Sequence, residues 1–172
     1  MQIFRMRGLG LAVILTALGT SGLLGCTRNG TALRVRDSAV RAPGPLSLTL
    51  EVPVVATIGQ PVPLRLTLTN TGSDTVMIGL PGVESQRADF VVSKGGKEVW
   101  SKLRGSTMLD VLLTGPLVPG EATTFNAIWT QRDNHGNRVA AGAYTVQGFL
   151  NESLASHSAG GIVSAPVEIR IR

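Results

Sequence analysis

The chain carries few residues of the types that perform covalent or metal chemistry. It has one cysteine, Cys26, and two histidines, His135 and His157, which both lie in hydrophilic stretches. Serines are numerous, but the Gly-x-Ser-x-Gly elbow of hydrolases is absent, and no acidic residue is obviously paired with either histidine. Two separated histidines also lack the spacing of zinc ligands. We therefore expect no enzyme, no metal site and no cofactor.

The thiol of Cys26 is still a nucleophile, and the residues before it indicate what it is used for. Arg5 and Arg7 precede an apolar run at 9–18. That run has about half of the ~20 apolar residues that a membrane-spanning helix needs. A basic start, a short apolar run and small residues before a cleavage point are the three parts of a secretory signal. We interpret residues 1–25 as a signal peptide.

The end of this segment is similar to the cleavage motif of bacterial lipoproteins, and the matching residues are Leu23, Leu24, Gly25 and Cys26. The resemblance implies cleavage before Cys26 and a lipid on its thiol, where several acyl chains together hold a protein on a membrane. Because Thr27 stands where an aspartate is associated with the inner membrane, the resemblance also implies the outer membrane of the cell envelope, facing the periplasm. The alternatives are an uncleaved anchor or cleavage elsewhere.

The basic balance of the chain does not indicate nucleic-acid binding. The formal net charge is +5, and Arg5 and Arg7 belong to the signal. The other lysines and arginines are concentrated in the 26–45 segment or scattered among acidic residues, without a basic stripe interleaved with aromatic residues. The chain contains 21 glycines and 9 prolines, which indicates many turns. No nucleic-acid partner is expected.

Apolar and polar residues alternate along most of the chain after residue 45, the pattern of half-buried strands. The predicted strands lie at 46–52, 64–68, 75–79, 88–94, 97–102, 122–130, 142–150 and 167–171. About eight short strands without a long helix predict an all-β fold, an antiparallel immunoglobulin-like β-sandwich over 46–172. A single closed up-and-down sheet is the alternative. Residues 26–45 are predicted to be the lipidated N-terminus and a flexible linker.

Several local patterns make the fold prediction specific. Gly95 and Gly96 suit a two-residue primed turn in a hairpin, because such a turn needs positive φ. Phe125, Ala127 and Trp129 share one face of a strand, with Trp129 expected in the core. The pattern leaves open whether Val99 or Trp100 faces inward. The leucine spacing of 106–113 predicts a short helical turn.

Two loops carry the candidate binding residues. The 102–119 loop has Lys102 and Arg104, and the 131–142 loop has Arg132, His135 and Arg138. Within the second loop, 133–137 is too short for a calcium-binding loop and is predicted to be a turn held by side-chain hydrogen bonds from Asx residues.

The stretch 66–150 is similar to the BsuPI-type proteinase inhibitor family. The residues that carry the likeness are 66–70 (Leu-Thr-Leu-Thr-Asn), 89–92 (Asp-Phe-Val-Val), 95–100 (Gly-Gly-Lys-Glu-Val-Trp), 117–121 (Leu-Val-Pro-Gly-Glu), Trp129 and 142–146 (Gly-Ala-Tyr-Thr-Val). The resemblance implies a sandwich with its family core at about 64–150, and a serine proteinase as partner. No inhibitory residue can be carried over from a family motif.

Three functions follow as expectations. The first is an envelope lipoprotein, held on the membrane through Cys26, whose immunoglobulin-like domain binds an unidentified protein through an edge strand or loops. The second is inhibition of a proteinase through a surface loop, as the resemblance implies. The third is a structural role in the envelope.

Overall fold

The computed structural model describes residues 35–41, 44–107, 111–150 and 162–172. The lipoprotein motif of Leu23, Leu24, Gly25 and Cys26 lies outside the described residues, and so does His157. Within the described ranges, no helix is long and apolar enough to cross a membrane.

The described residues form twelve β-strands and one short 3-10 helix, Glu84–Gln86. In chain order the strands are β1 Val35–Arg41, β2 Leu46–Pro53, β3 Val55–Ala56, β4 Val62–Asn70, β5 Val76–Pro81, β6 Ala88–Lys94, β7 Lys97–Ser101, β8 Leu112–Leu117, β9 Ala122–Trp129, β10 Gly142–Leu150, β11 Ile162–Val163 and β12 Val167–Ile171. The all-β prediction is confirmed, with more strands than predicted because β3 and β11 have two residues each and show no alternation.

The strands pack as a sandwich of two open sheets, as predicted, rather than as one closed sheet. The first sheet has the order β1-β2-β4-β9, and the second has the order β3-β12-β10-β6-β7 with β11 beside β10. Strands β5 and β8 form a separate antiparallel pair. Neighbouring strands are antiparallel except for β3, which pairs parallel with the last strand, β12.

Alternation explains how these strands share one core. On β4, Leu64, Leu66 and Leu68 are fully buried, while Arg65 between them is exposed. The same pattern recurs on β2, β10 and β12. Each fully buried leucine or isoleucine stabilises the fold by roughly 1.5–3 kcal/mol through the hydrophobic effect. The inner faces of both sheets therefore form a single apolar cluster.

The two main sheets approach each other closely at Gly148 of β10. A Cβ atom at this position would lie 2.5 Å from Cδ1 of Leu66 on the opposite sheet. Such a separation is far below van der Waals contact, so Leu66 occupies the space that any side chain at position 148 would need.

The hairpin of β6 and β7 turns at Gly95 and Gly96, as predicted. Their φ angles are 56° and 77°, which a primed turn requires at both central residues. The register shifts between Val92 and Ser93, which marks a β-bulge on β7. A bulge places two consecutive residues opposite one partner. Val99 and Trp100 are accordingly both half-buried and both pack against the core.

The predicted helical turn at 106–113 is wrong over its described C-terminal part. Leu112 and Leu113 begin β8, where they pair with Pro81 and Leu80 of β5. Residues 108–110 lie outside the described residues. The leucine spacing fitted a helix, but β5 offers a row of backbone hydrogen bonds that a short helical turn cannot match.

The first sheet begins earlier in the chain than predicted. Strand β1 lies within the 26–45 segment that was interpreted as a linker, and it pairs with β2 in seven-residue register from Val35 opposite Pro53 to Arg41 opposite Ser47. Its sequence, Val-Arg-Asp-Ser-Ala-Val-Arg, lacks apolar alternation, so the pairing has no local sequence signal.

Candidate functional site

The 131–142 loop rests on two buried aromatic residues. Trp129 is fully buried, as predicted, and its Nε1 donates a hydrogen bond to the carbonyl oxygen of Arg132 at 2.9 Å. Its ring meets that of Tyr144 in an edge-on contact, with ring centroids 5.5 Å apart. The Tyr144 hydroxyl donates to the carbonyl oxygen of Ala140 at 2.6 Å. The aromatic pair therefore fixes both ends of the loop.

Gln131 ties the start of the loop to the segment before β4. Its side chain is almost completely buried, and its Oε1 accepts a hydrogen bond from the Gly59 amide at 2.8 Å. Its Nε2 donates to the carbonyl oxygens of Thr57 and Gln60, both at 2.7 Å. Gln131 has φ of 56°, a left-handed conformation that costs a non-glycine residue about 1–2 kcal/mol. The three hydrogen bonds offset that cost.

Asp133 organises the tip of the loop. Its Oδ1 accepts hydrogen bonds from the amides of His135 and Asn137 at 2.9 and 2.8 Å, and its own amide donates to the carbonyl oxygen of Asn137 at 2.8 Å. Desolvation raises the pKa of Asp133, but the hydrogen bonds from Asn137 and His135 outweigh it and hold the pKa below its usual value. The predicted Asx turn is confirmed. Within the described residues, no cluster of His, Cys, Asp or Glu could hold a metal.

Asn134 attaches the flank of the loop to β7. Its amide donates to the carbonyl oxygen of Val99 at 2.9 Å, and its Oδ1 accepts from the Ser101 amide at 2.9 Å. Its Nδ2 donates to Oε1 of Glu98 at 2.8 Å, and Nη1 of Arg104 lies 2.7 Å from the same oxygen. Asn134 belongs to the predicted 133–137 turn, but its attachment to β7 had no local sequence signal, because its partners are more than 30 positions away along the chain.

The structure brings four of the five predicted binding residues together. Arg104, His135 and Arg138 line one open groove between β7 and the loop, with Glu98, Asp133, Asn134 and Tyr144. Arg132 lines an adjacent depression, which shares Arg138 and Val139 with that groove. The guanidinium of Arg132 donates to the carbonyl oxygen of Gly136 across the turn.

Lys102 stands apart from this group. Its Nζ donates to the carbonyl oxygen of Ala88 at 3.0 Å and lies 5.8 Å from the centre of the Phe90 ring. Burial lowers the pKa of Lys102, and the nearby carboxylate of Asp89 partly opposes this effect. An amine held in this way by its own sheet is a poor candidate for binding a partner.

Arg138 differs from the other cations of the two predicted loops. Residues Arg132 and Arg138 face each other in an antiparallel bridge across the loop. The Arg138 side chain is exposed, and among the described residues it forms no hydrogen bond or ion pair. The loop is thus held by hydrogen bonds to its other residues while this guanidinium stays available.

Comparison with solved structures returned distant similarities. Pseudomonas fluorescens alkylpurine DNA glycosylase AlkC, bound to DNA containing an abasic site analog, is 15% identical, with 73% of this chain covering 30% of that chain and a TM-score of 0.40. The CARDB domain of PF1109 from Pyrococcus furiosus is 14% identical, with coverage of 74% and 94% and a TM-score of 0.39. The sporulation control protein Spo0M from Bacillus subtilis is 16% identical, with coverage of 74% and 49% and a TM-score of 0.43.

This chain spans less than a third of the AlkC glycosylase. No curated protein matches it.

A family model gives a direct match. The model for BsuPI, described as intracellular proteinase inhibitor, matches residues 48–154. This is more than half of the 172 residues, and it includes the β6–β7 hairpin and the whole 131–142 loop. The chain therefore belongs to the BsuPI family of intracellular proteinase inhibitors.

Proposed function

We propose that this protein inhibits a proteinase by presenting the 131–142 loop. Membership of a proteinase inhibitor family supports a proteinase as the partner. A substrate-like inhibitor needs a projecting loop that is ordered before it binds, since ordering it during binding would cost affinity. The single observation that carries the proposal is the set of hydrogen bonds by which Gln131, Asp133 and Asn134 hold this loop.

The three side chains act at different places. Gln131 fixes the start of the loop, Asp133 its tip and Asn134 its flank on β7. Immobilising a side chain on binding costs about 0.5–1.5 kcal/mol. A loop that is already fixed at three places avoids several such costs, which is the property that separates an inhibitor from a rapidly digested substrate.

A panel of serine proteinases tests the proposal. The purified protein should slow hydrolysis of a chromogenic peptide by at least one of them. Asn134→Ala removes the hydrogen bonds to Ser101 and Glu98, so it should weaken inhibition about tenfold, which corresponds to about 1.4 kcal/mol. Thr124→Ala, on the exposed face of β9, is the matched control and should inhibit normally. Digestion of the protein without any loss of enzyme activity would contradict the proposal.

We also propose that the domain works at the cell envelope, held by a lipid on Cys26. The sequence motif of Leu23, Leu24, Gly25 and Cys26 supports this, together with the basic and apolar segments before it. Thr27 favours the outer membrane, facing the periplasm. In this position the inhibitor would protect envelope proteins from proteinases outside the cytoplasm.

Fatty-acid labelling in cells tests the anchor. Wild-type protein should incorporate label and sediment with membranes, whereas Cys26→Ser should lose both properties. Ser21→Ala is the control, because it changes the signal without removing the thiol. Membrane retention of Cys26→Ser at the wild-type level would argue against lipidation.

A second candidate function is protein binding by strand addition at β9. This strand is the last of the first sheet and pairs with β4 alone in the described structure. Its sequence contains no charged residue or proline, the usual protection of an edge, and Ile128 is 64% exposed. An extended segment of another protein could therefore pair with β9.

Ile128→Lys tests the edge strand. A lysine there should abolish a cross-linked product that the wild-type protein forms in cells. Thr145→Lys, on a central strand of the other sheet, should leave that product in place. Equal cross-linking by wild type and Ile128→Lys would exclude β9 as the binding edge.

A further inference from the structure

The backbone around Arg138 leaves the amide and carbonyl of this residue facing outward, as in a peptide segment that binds in a proteinase cleft. The amide of Asp133 donates to the carbonyl oxygen of Asn137 at 2.8 Å, and the amide of Val139 donates to that of Gln131 at 3.0 Å. These two bonds flank the bridge between Arg132 and Arg138. In an antiparallel ladder, a pair flanked in this way is the non-hydrogen-bonded type. The amide and carbonyl of Arg138 therefore face away from the loop.

The main-chain groups and the guanidinium of Arg138 are therefore both available to a partner. Its main-chain groups face outward, and no other described residue donates to them or accepts from them. Its guanidinium is exposed and lacks an ionic partner in the described structure. By contrast, Arg104 is 2.7 Å from Glu98, and Arg132 is bonded across the turn to Gly136.

We propose that Arg138 is the specificity residue of the inhibitor, and that its target is a serine proteinase with an acidic specificity pocket, which cleaves after arginine or lysine. This inference rests on the proposed inhibitory function. An arginine side chain entering such a pocket gains a charge-assisted, two-pronged hydrogen bond with the carboxylate. The outward amide and carbonyl of Arg138 would pair with the extended main chain of the enzyme cleft.

The surroundings of the next residue explain why such a segment would resist cleavage. Val139 packs against the core, and its amide is bonded to Gln131. Hydrolysis of the bond between Arg138 and Val139 adds water, giving a carboxyl group on Arg138 and an amine on Val139. In the first step the serine oxygen of the proteinase would form an ester with the Arg138 carbonyl carbon, and the bond to Val139 would break with the Val139 amine as leaving group. Because the fold keeps that amine in place, it can attack the ester before water does, which releases the serine hydroxyl and restores the peptide bond.

Inhibition constants against three probe enzymes test the inference: trypsin, chymotrypsin and subtilisin. Wild-type protein should inhibit trypsin best. Arg138→Ala should weaken trypsin inhibition by about 30-fold or more, the loss expected for a central anchoring residue. Arg138→Lys should retain most of it, and Arg138→Phe should shift inhibition toward chymotrypsin. Arg65→Ala, on the outer face of the first sheet, is the matched control for loss of an arginine.

The outcomes separate the inference from the function on which it rests. If chymotrypsin or subtilisin is inhibited and Arg138→Ala inhibits as well as wild type, the role of Arg138 is wrong while inhibition stands. If no enzyme is inhibited by any variant, both are wrong. Mass spectrometry after long incubation with trypsin adds a second measurement, in which slow cleavage between Arg138 and Val139 supports the assignment and first cleavage elsewhere contradicts it. Unchanged circular dichroism should show that each variant is folded.

Discussion

The 102–119 and 131–142 segments look alike in sequence, since both combine turn residues with cations, but the fold uses them differently. In the first, β8 pairs with β5, Arg104 meets Glu98, and Lys102 donates to a carbonyl of its own sheet. In the second, Gln131, Asp133 and Asn134 satisfy the backbone through side chains. A neighbouring strand stabilises one segment, and its own polar residues stabilise the other.

This difference shows what makes a loop suitable for presentation. In the 102–119 segment, β8 is held by backbone hydrogen bonds to β5, and its nearby cations Lys102 and Arg104 are bonded to a carbonyl oxygen and to Glu98. A segment held by side chains can be equally ordered and still keep an outward-facing backbone and a free cation, as Arg138 does. The following predictions test whether the order of the 131–142 loop depends on these few side chains.

Removing the aromatic support should have the largest effect. Trp129→Ala leaves a cavity in the core and should lower the free energy of unfolding by about 3–5 kcal/mol, measured by urea denaturation with circular dichroism. Trp129→Phe keeps most of the apolar contact but loses the hydrogen bond to Arg132, so it should cost less and increase hydrogen exchange in the 131–142 loop. Equal exchange in wild type and Trp129→Phe would show that the loop does not need this bond.

Loss of the Gln131 side chain should have the second largest effect on stability. Gln131→Ala removes three hydrogen bonds while keeping a side chain in a left-handed conformation, and we expect a loss of about 1–3 kcal/mol. Gln131→Gly loses the same hydrogen bonds but relieves the backbone strain. It should therefore be more stable than Gln131→Ala by about 1 kcal/mol in urea denaturation. If the alanine variant is the more stable of the two, backbone strain is not a factor at this position.

The stability of the turn at the tip of the 131–142 loop should depend on pH. Because the folded state lowers the pKa of Asp133, its carboxylate stabilises the folded loop above the usual aspartate range, and that stabilisation is lost as the pH falls through the lowered pKa. NMR titration of the His135 and Asn137 amides should give a midpoint below about 3.9, the usual aspartate value. The transition should vanish in Asp133→Asn. A midpoint at or above the usual value would contradict the hydrogen-bonded turn.

The ion pair of Arg104 with Glu98 should matter least. Both side chains are substantially exposed, at 59% and 38%, so water screens their attraction. Glu98→Gln should change stability by less than about 1 kcal/mol in thermal denaturation, because the new amide oxygen can still accept from Asn134. Glu98→Ala removes that acceptor too and should cost more. A loss above 2 kcal/mol in Glu98→Gln would mean that the first segment depends on charge as well as on pairing.

Local patterns predicted those parts of the fold that local chemistry determines. The Gly95-Gly96 turn, the inward face of β12 and the burial of Trp129 follow from turn chemistry and alternation, and the structure confirms them. The bulge that brings Val99 and Trp100 against the core depends on register with β6, which one strand cannot reveal. Likewise, the spacing of the leucines in β8 fits a helix, and only their pairing with β5 makes this segment a strand.

The candidate site was predictable as a set of cations but not as a surface. Loop position alone predicted Arg104, Arg132, His135 and Arg138 as candidates. Which of them is free depends on partners such as Glu98 and Gly136, which the fold brings close. Gln131 gave no signal, because glutamine rarely takes a left-handed conformation and its partners lie more than 70 positions away.

Gly148 offers a way to destabilise the whole domain with one substitution. Its missing side chain is where Leu66 enters from the facing sheet. A methyl group there would clash with Leu66, and such overpacking of a core destabilises a fold by about 1–3 kcal/mol. Position 148 lies outside the 131–142 loop. Gly148→Ala would thus provide a destabilised variant with which the effect of weakening the whole domain in living cells can be compared with the effect of losing only its binding residues.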